Sequence, residues 1–142
     1  MPNTEVTSRT DAVPQKSSEE LLDLRYLADA AEGDVEFIES ILHDYLKGTG
    51  TQLEELHGAL LAQDADAVRR LAHSVKGASA SVGATRVMEA ASALEDHVVA
   101  EGMMRVDELV FLVTSEFRRL EAHLARNGEA AFLVVSRMAL PA

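Results

Sequence analysis

Apolar residues recur every three or four positions along most of the chain, the spacing that gathers side chains on one face of a helix. The first such stretch spans about 18–30, with Leu21, Leu24, Leu27 and Ala28 on one side. Ser17-Ser18-Glu19-Glu20 precedes it in the form of a capping box, with Ser17 as the N-cap and Glu20 three residues on. Glu32-Gly33-Asp34 breaks the pattern, and Asp34 suits the cap of a second helix over about 35–62. That helix carries Ile38, Ile41, Leu42, Tyr45, Leu46, Leu53, Leu56 and Leu60. Gly48 and Gly50 lie inside it at about 1 kcal/mol each against alanine, so a kink or a division into two helices is open. Asp64 caps a third helix over 65–82, and Gly83-Ala84-Thr85 restarts the chain into a fourth over 86–100, with Val87, Ala91, Leu94 and Val98 inward. After Glu101-Gly102 a fifth helix over 104–126 presents Val106, Leu109, Val110, Val113, Phe117, Leu120 and Leu124, and Asn127-Gly128 suits its C-cap.

Long amphipathic segments joined by short connections predict an all-α chain. The expected form is an antiparallel four-helix bundle with the short N-terminal helix across one end. Residues 1–16 are polar and mixed and read as a disordered tail. The folded domain is expected over 17–128. The apolar segment 129–142 (EAAFLVVSRMALPA) reads either as a further helix patching the bundle or as a partner-binding segment.

Composition narrows the function classes. A chain of 142 residues suits one domain. Its only prolines, at 2, 14 and 141, leave 15–140 free of helix breakers. Without cysteine there is no disulfide, thiolate chemistry or Cys-ligated zinc. A formal net charge of −11 repels nucleic acid from most of the surface. No apolar run approaches the roughly 20 residues of a membrane span, and the N-terminus has no apolar signal segment. A cytoplasmic protein, away from membrane and nucleic acid, is the expectation.

The third helix carries the chemistry. On a wheel of about 100° per residue, Val68, Leu71, Val75, Ala78 and Val82 form one stripe, the core face. His73 then points away from the core, sharing the outer face with Arg69, Lys76, Gly77 and Ala80, with Arg70 at its edge. Three cations gather near one histidine in an acidic protein. Neutral imidazole is a good nucleophile near pH 7, since its ordinary pKa is about 6.5. Lys76, one turn on, is placed to pair with phosphoryl oxygens. A glycine at 77 keeps a side chain off the ring and leaves clearance for a partner.

Residues 72–84 read Ala-His-Ser-Val-Lys-Gly-Ala-Ser-Ala-Ser-Val-Gly-Ala. The run resembles the signature of histidine-containing phosphotransfer (HPt) domains: alanine, the phosphorylated histidine, lysine at +3, glycine at +4, serine at +6, and Gly-Ala at +10 and +11. The resemblance extends over about 18–126, including Gly-Asp before the second helix, an aspartate-rich turn before the third and Leu94-Glu95 in the fourth. It implies a phosphocarrier without kinase activity of its own. His73 would accept a phosphoryl group at Nε2 from a receiver-domain aspartate and pass it to another response regulator. Lys76 would stabilise the phosphate, Gly77 would give access, and Ser79 would hydrogen-bond nearby. Glu95 stands where several family members carry glutamine. An ionised carboxylate there cannot donate a hydrogen bond but can accept one from an imidazole N–H and hold one tautomer. The implied partners are receiver domains of hybrid histidine kinases and response regulators, which bring their own Mg²⁺, so no bound cofactor is expected here. Tyr26, Leu27, Phe37 and Ile38 are the implied docking residues, on a monomer.

Plainer readings stand beside these. A lone exposed histidine, lysine or arginine is ordinarily a solvated side chain, and Ser79 would bond back to its own helix. Gly83 and Ala84 read as structural, ending one helix and letting the next pack closely. A di-metal carboxylate bundle would need two Glu-x-x-His motifs, and only Glu54 to His57 fits. His43, His57, His97 and His123 therefore read as surface or boundary residues. A sensor-kinase dimerisation helix would place an acidic residue where Ser74 follows His73, and no Gly-rich nucleotide segment is present. The remaining alternative is a non-catalytic helical adaptor that binds response regulators. Acceptance of a phosphoryl group from a phosphorylated receiver separates the two.

Overall fold

A computed structural model describes residues 21–139, for the last of which, 127–139, only the backbone is described. Every regular element among them is a helix: α1 (Leu24–Ala30), α2 (Val35–Leu61), α3 (Ala65–Val82), α4 (Thr85–Glu101) and α5 (Val106–Ala139). The helices α2 to α5 form a ring of neighbours, α3 between α2 and α4, and α5 closing back on α2. α1 packs on α5, and the Asp23 N–H just before it donates to the Gly83 carbonyl at 2.8 Å, at the corner between α3 and α4. The fold is the all-α bundle that the hydrophobic periodicity predicts.

Aspartates start three of the helices. Asp23, Asp34 and Asp64 accept from the backbone N–H three residues on, of Tyr26, Phe37 and Ala67, at 3.0 to 3.1 Å. Such caps contribute about 1 kcal/mol each. The cap of α1 is therefore Asp23. Ser17 and Glu20 lie outside the described residues, and Leu21 to Asp23 are not helical. The bond from Asp23 to Gly83 explains the late start, because it holds that residue extended.

α2 runs unbroken through both glycines. Tyr45, Thr49 and Leu53 are buried around them, and that packing outweighs the roughly 1 kcal/mol per glycine. α5 departs from the expected span at both ends. It begins at Val106, because Met103 to Arg105 turn with Arg105 at φ 62° and the Met104 carbonyl takes the His97 Nε2–H at 2.6 Å. It also continues through Asn127 and Gly128 to Ala139, so the expected C-cap is not formed and the apolar extension begins as more of α5.

The core is aliphatic around one aromatic pair. Phe117 is fully buried, and its ring meets Tyr45 edge-on at 6.1 Å and 61°. The buried stripe of α3 is Val68, Ala72, Val75, Ser79 and Val82, with Leu71 and Ala78 only half-buried. It is turned slightly from the stripe that hydrophobicity alone selects. The Ser79 hydroxyl, wholly buried, shares a 2.7 Å hydrogen bond with the Tyr45 hydroxyl. Burial pushes the Tyr45 pKa up to about 12, against smaller opposing effects from Ser79 and Thr49.

Gly83 is the tightest joint. It sits at φ 77°, where a side chain is strained, and a Cβ there would lie 3.2 Å from Asp23 Cβ, Asp23 O and Tyr26 Cδ2. Gly83→Ala is expected to cost about 1–3 kcal/mol. Chemical denaturation measures the loss, and an unchanged midpoint would mean that this corner yields freely.

Candidate functional site

His73 stands halfway along α3 on the side that the core leaves free, its side chain 66% exposed. The ring is gripped from α4. Glu95 Oε2 lies 2.8 Å from His73 Nδ1, and Glu95 Oε1 lies 2.8 Å from Lys76 Nζ. One carboxylate thus bridges the histidine and the lysine one turn on. It is itself mostly covered, with 15% of its side chain exposed.

The electrostatics decide which ring nitrogen is open. The ammonium of Lys76, and after it the His73 hydrogen bond, hold the Glu95 carboxyl below the usual carboxylate range despite desolvation. Glu95 in turn pushes the Lys76 ammonium up. Both groups are therefore charged around neutral pH, and the contact weakens as acid protonates Glu95 or as alkali deprotonates Lys76. An ionised carboxylate only accepts, so Nδ1 carries the ring proton and donates. The lone pair of the neutral ring is then on Nε2, the nitrogen away from Glu95. This is a nucleophile held in one tautomer by a charge-assisted bond.

The other residues divide. Arg69 and Arg70 both pair with Asp66, at 3.1 and 3.3 Å, so one of their two charges is already balanced, and exposed pairs of this kind hold weakly. A Cβ added to Gly77 would meet nothing within 4 Å, so the packing of this chain does not demand glycine there. Ser79 is not brought to His73: its hydroxyl is turned into the core toward Tyr45. Tyr26 and Phe37 are 44% and 51% exposed, whereas Leu27 and Ile38 are core residues. Consecutive helical positions differ by about 100°, so adjacent residues part in this way.

Two features escaped the sequence. Gln52 of α2 donates to the Ser74 hydroxyl at 2.6 Å, bracing α3 on the flank of His73 away from Glu95. Arg86 of α4 forks onto Glu116 of α5, Nε to Oε1 at 3.0 Å and the guanidinium NH2 to Oε2 at 3.1 Å, with Arg119 at 3.7 Å. Their partners are 22 and 30 residues apart, so no local spacing announces them. Of the other histidines, His57 donates to Thr114 at 3.1 Å, since the Thr114 hydroxyl itself donates to Val110 O. Among the described residues no group of three His, Cys, Asp or Glu side chains is arranged to hold a metal ion. Nor is any helix among them long and apolar enough to cross a membrane.

The His73 imidazole is thus oriented by one hydrogen bond and displayed to solvent on the face of the bundle rather than inside a cleft. The Hpt domain family model matches residues 40–126, more than half of the chain and all of the His73, Lys76, Gly77 and Glu95 constellation. The chain belongs to the Hpt domain family, phosphocarriers that serve phosphorelays and interact with receiver domains of two-component systems. No curated protein and no solved structure matches it. Tyr26 and Phe37 precede the matched segment.

Gly77 sits exposed in a helix interior with open space around it, so Gly77→Ala is expected to stabilise the fold by about 0.5–1 kcal/mol. Thermal melting checks the sign. A lower midpoint would show that α3 needs glycine for its own packing.

Proposed function

We propose that His73 takes a phosphoryl group from the aspartyl phosphate of one receiver domain and hands it to the aspartate of another. The observation that carries this reading is the orientation of the ring: Nδ1–H donates to Glu95, and the ring stands in solvent with its Nε2 lone pair available. Phosphoryl transfer asks mainly for positioning and charge neutralisation. The receiver supplies the aspartate, its lysine and Mg²⁺. This chain supplies the nucleophile and Lys76, whose ammonium is near enough to leave Glu95 for the phosphoryl oxygens as they arrive. The chain does not phosphorylate itself; it stands between a hybrid kinase and a final regulator. Tyr26 and Phe37 form the apolar part of the docking face, with Arg69, Arg70 and Lys76 on its charged rim.

His73→Gln is expected to abolish acceptance from a phosphorylated receiver while the melting midpoint stays within the range of a surface change, about 0.5 kcal/mol. Phosphate labelling that survives the substitution would overturn the assignment of the acceptor. Lys76→Ala should shorten the lifetime of the phosphorylated form or lower its yield without blocking the reaction. If hydrolysis and onward transfer both match wild type, the lysine has no part in them.

Gly77→Gln tests clearance, because open space in the isolated chain lets the variant fold while a side chain one turn from the ring crowds the receiver. Transfer should fall at least tenfold, and normal transfer would end the clearance argument. Arg69→Glu should slow transfer most at low salt, with the gap closing as salt rises. Asp66 already balances part of the cluster, so Asp66→Asn with Arg69 and Arg70 kept should have the opposite effect and speed transfer, most at low salt.

A further inference from the structure

We propose that the Glu95 carboxylate, through its hydrogen bond to Nδ1, keeps the phosphorylated His73 ring protonated at neutral and mildly alkaline pH and so sets how readily the phosphoryl group leaves. This rests on His73 being the acceptor. In the loading step the Nε2 lone pair forms the N–P bond as the P–O bond to the receiver aspartate breaks, and that electron pair returns to the carboxylate. The ring has kept its Nδ1 proton and gained a bond at Nε2, so it is a cation. In the onward step a carboxylate oxygen attacks phosphorus, the N–P bond breaks, and its pair returns to Nε2. The group that departs is neutral imidazole. Had Nδ1 lost its proton first, the departing group would be imidazolate, a far stronger base and a poorer leaving group.

The charges around the ring all bear on that proton. Glu95 is 2.8 Å from Nδ1 and ionised, the one charged acceptor bonded to it among the described residues. Lys76 on α3 opposes it, but its ammonium is spent on the other oxygen of the same carboxylate. When Lys76 turns to the phosphoryl oxygens, Glu95 keeps only the ring, and its charge acts on the Nδ1 proton undivided. Asp96, next along α4, adds negative charge near Lys76. Arg69 and Arg70 face Asp66. From α2 the nearest contribution is the neutral Gln52 to Ser74 bond, with Asp44 further along the same crevice. An opposite charge in direct contact shifts a proton equilibrium by about one unit or more, which is about tenfold in the protonated fraction.

Glu95→Gln separates charge from orientation, because the amide carbonyl still accepts from Nδ1–H and preserves the tautomer. Both proteins are loaded with phosphoramidate, and the phosphorylated full chains are followed by phosphorus NMR from pH 5 to 9, with the ring protonation read from imidazole nitrogen shifts. The expected result is a ring titration about one unit lower in Glu95→Gln and hydrolysis about tenfold slower at pH 8, with melting midpoints alike. Coincident titrations and decay profiles in two loaded proteins would overturn the role of Glu95 and leave His73 as the carrier. Failure of His73 to take a phosphoryl group in either protein would overturn both.

Discussion

The burial of one narrow stripe on α3 governs the rest of the structure. Val68, Ala72, Val75, Ser79 and Val82 must face inward between α2 and α4, and burying a valine side chain contributes about 1.5–3 kcal/mol. No rotation of α3 about its axis keeps those gains and also hides His73. The His73 ring is thus held outward by the burial of the opposite face of its own helix. Its position depends on apolar contact, which is insensitive to the arrival of charge, rather than on the polar contacts around the ring.

The polar contacts are correspondingly light. Glu95 meets His73 and Lys76 at the solvent boundary, where ion pairs add little to stability. Their value is directional: they fix which ring nitrogen carries the proton and keep a cation one turn away. Lys76 can leave that pair without unfolding anything, because the core does not depend on it. The deeper polar contacts, Ser79 with Tyr45 and Arg86 with Glu116, are not at the reacting ring and act as fasteners between helices. Breaking one of those would leave a buried group unsatisfied, at about 1–3 kcal/mol.

At the end of the bundle near α1 a local cap and a tertiary contact meet in one residue. Asp23 caps α1 with its side chain while its backbone N–H is tied to Gly83 across the corner of α3 and α4. The same joint requires Gly83 to be glycine, for its positive φ and for the closeness of Asp23 and Tyr26. α1 is thereby attached to the far end of the helix that carries His73, which places the exposed Tyr26 on the same molecule-end as that corner.

Helix order, the caps Asp34 and Asp64, and the outward direction of His73 were all determined by the sequence. Each rests on a local rule, either the period of a helix or the reach of a side chain to an N–H three residues away. The alignment of His73 with Lys76 and Gly77 was legible for the same reason. Tertiary structure alone decided what lies more than a turn or two apart. It put the Glu95 carboxylate on both His73 and Lys76, turned Ser79 to Tyr45, and brought Gln52 to Ser74 and Arg86 to Glu116. α5 runs on through Asn127 and Gly128, where a local C-cap signal was present. Periodicity states which face of a helix is apolar, but not which neighbour that face meets or at what height. A shift of one residue between α3 and α4 would exchange Glu95 for a neighbouring side chain, so the contact that orients the ring exists only once the helices have packed.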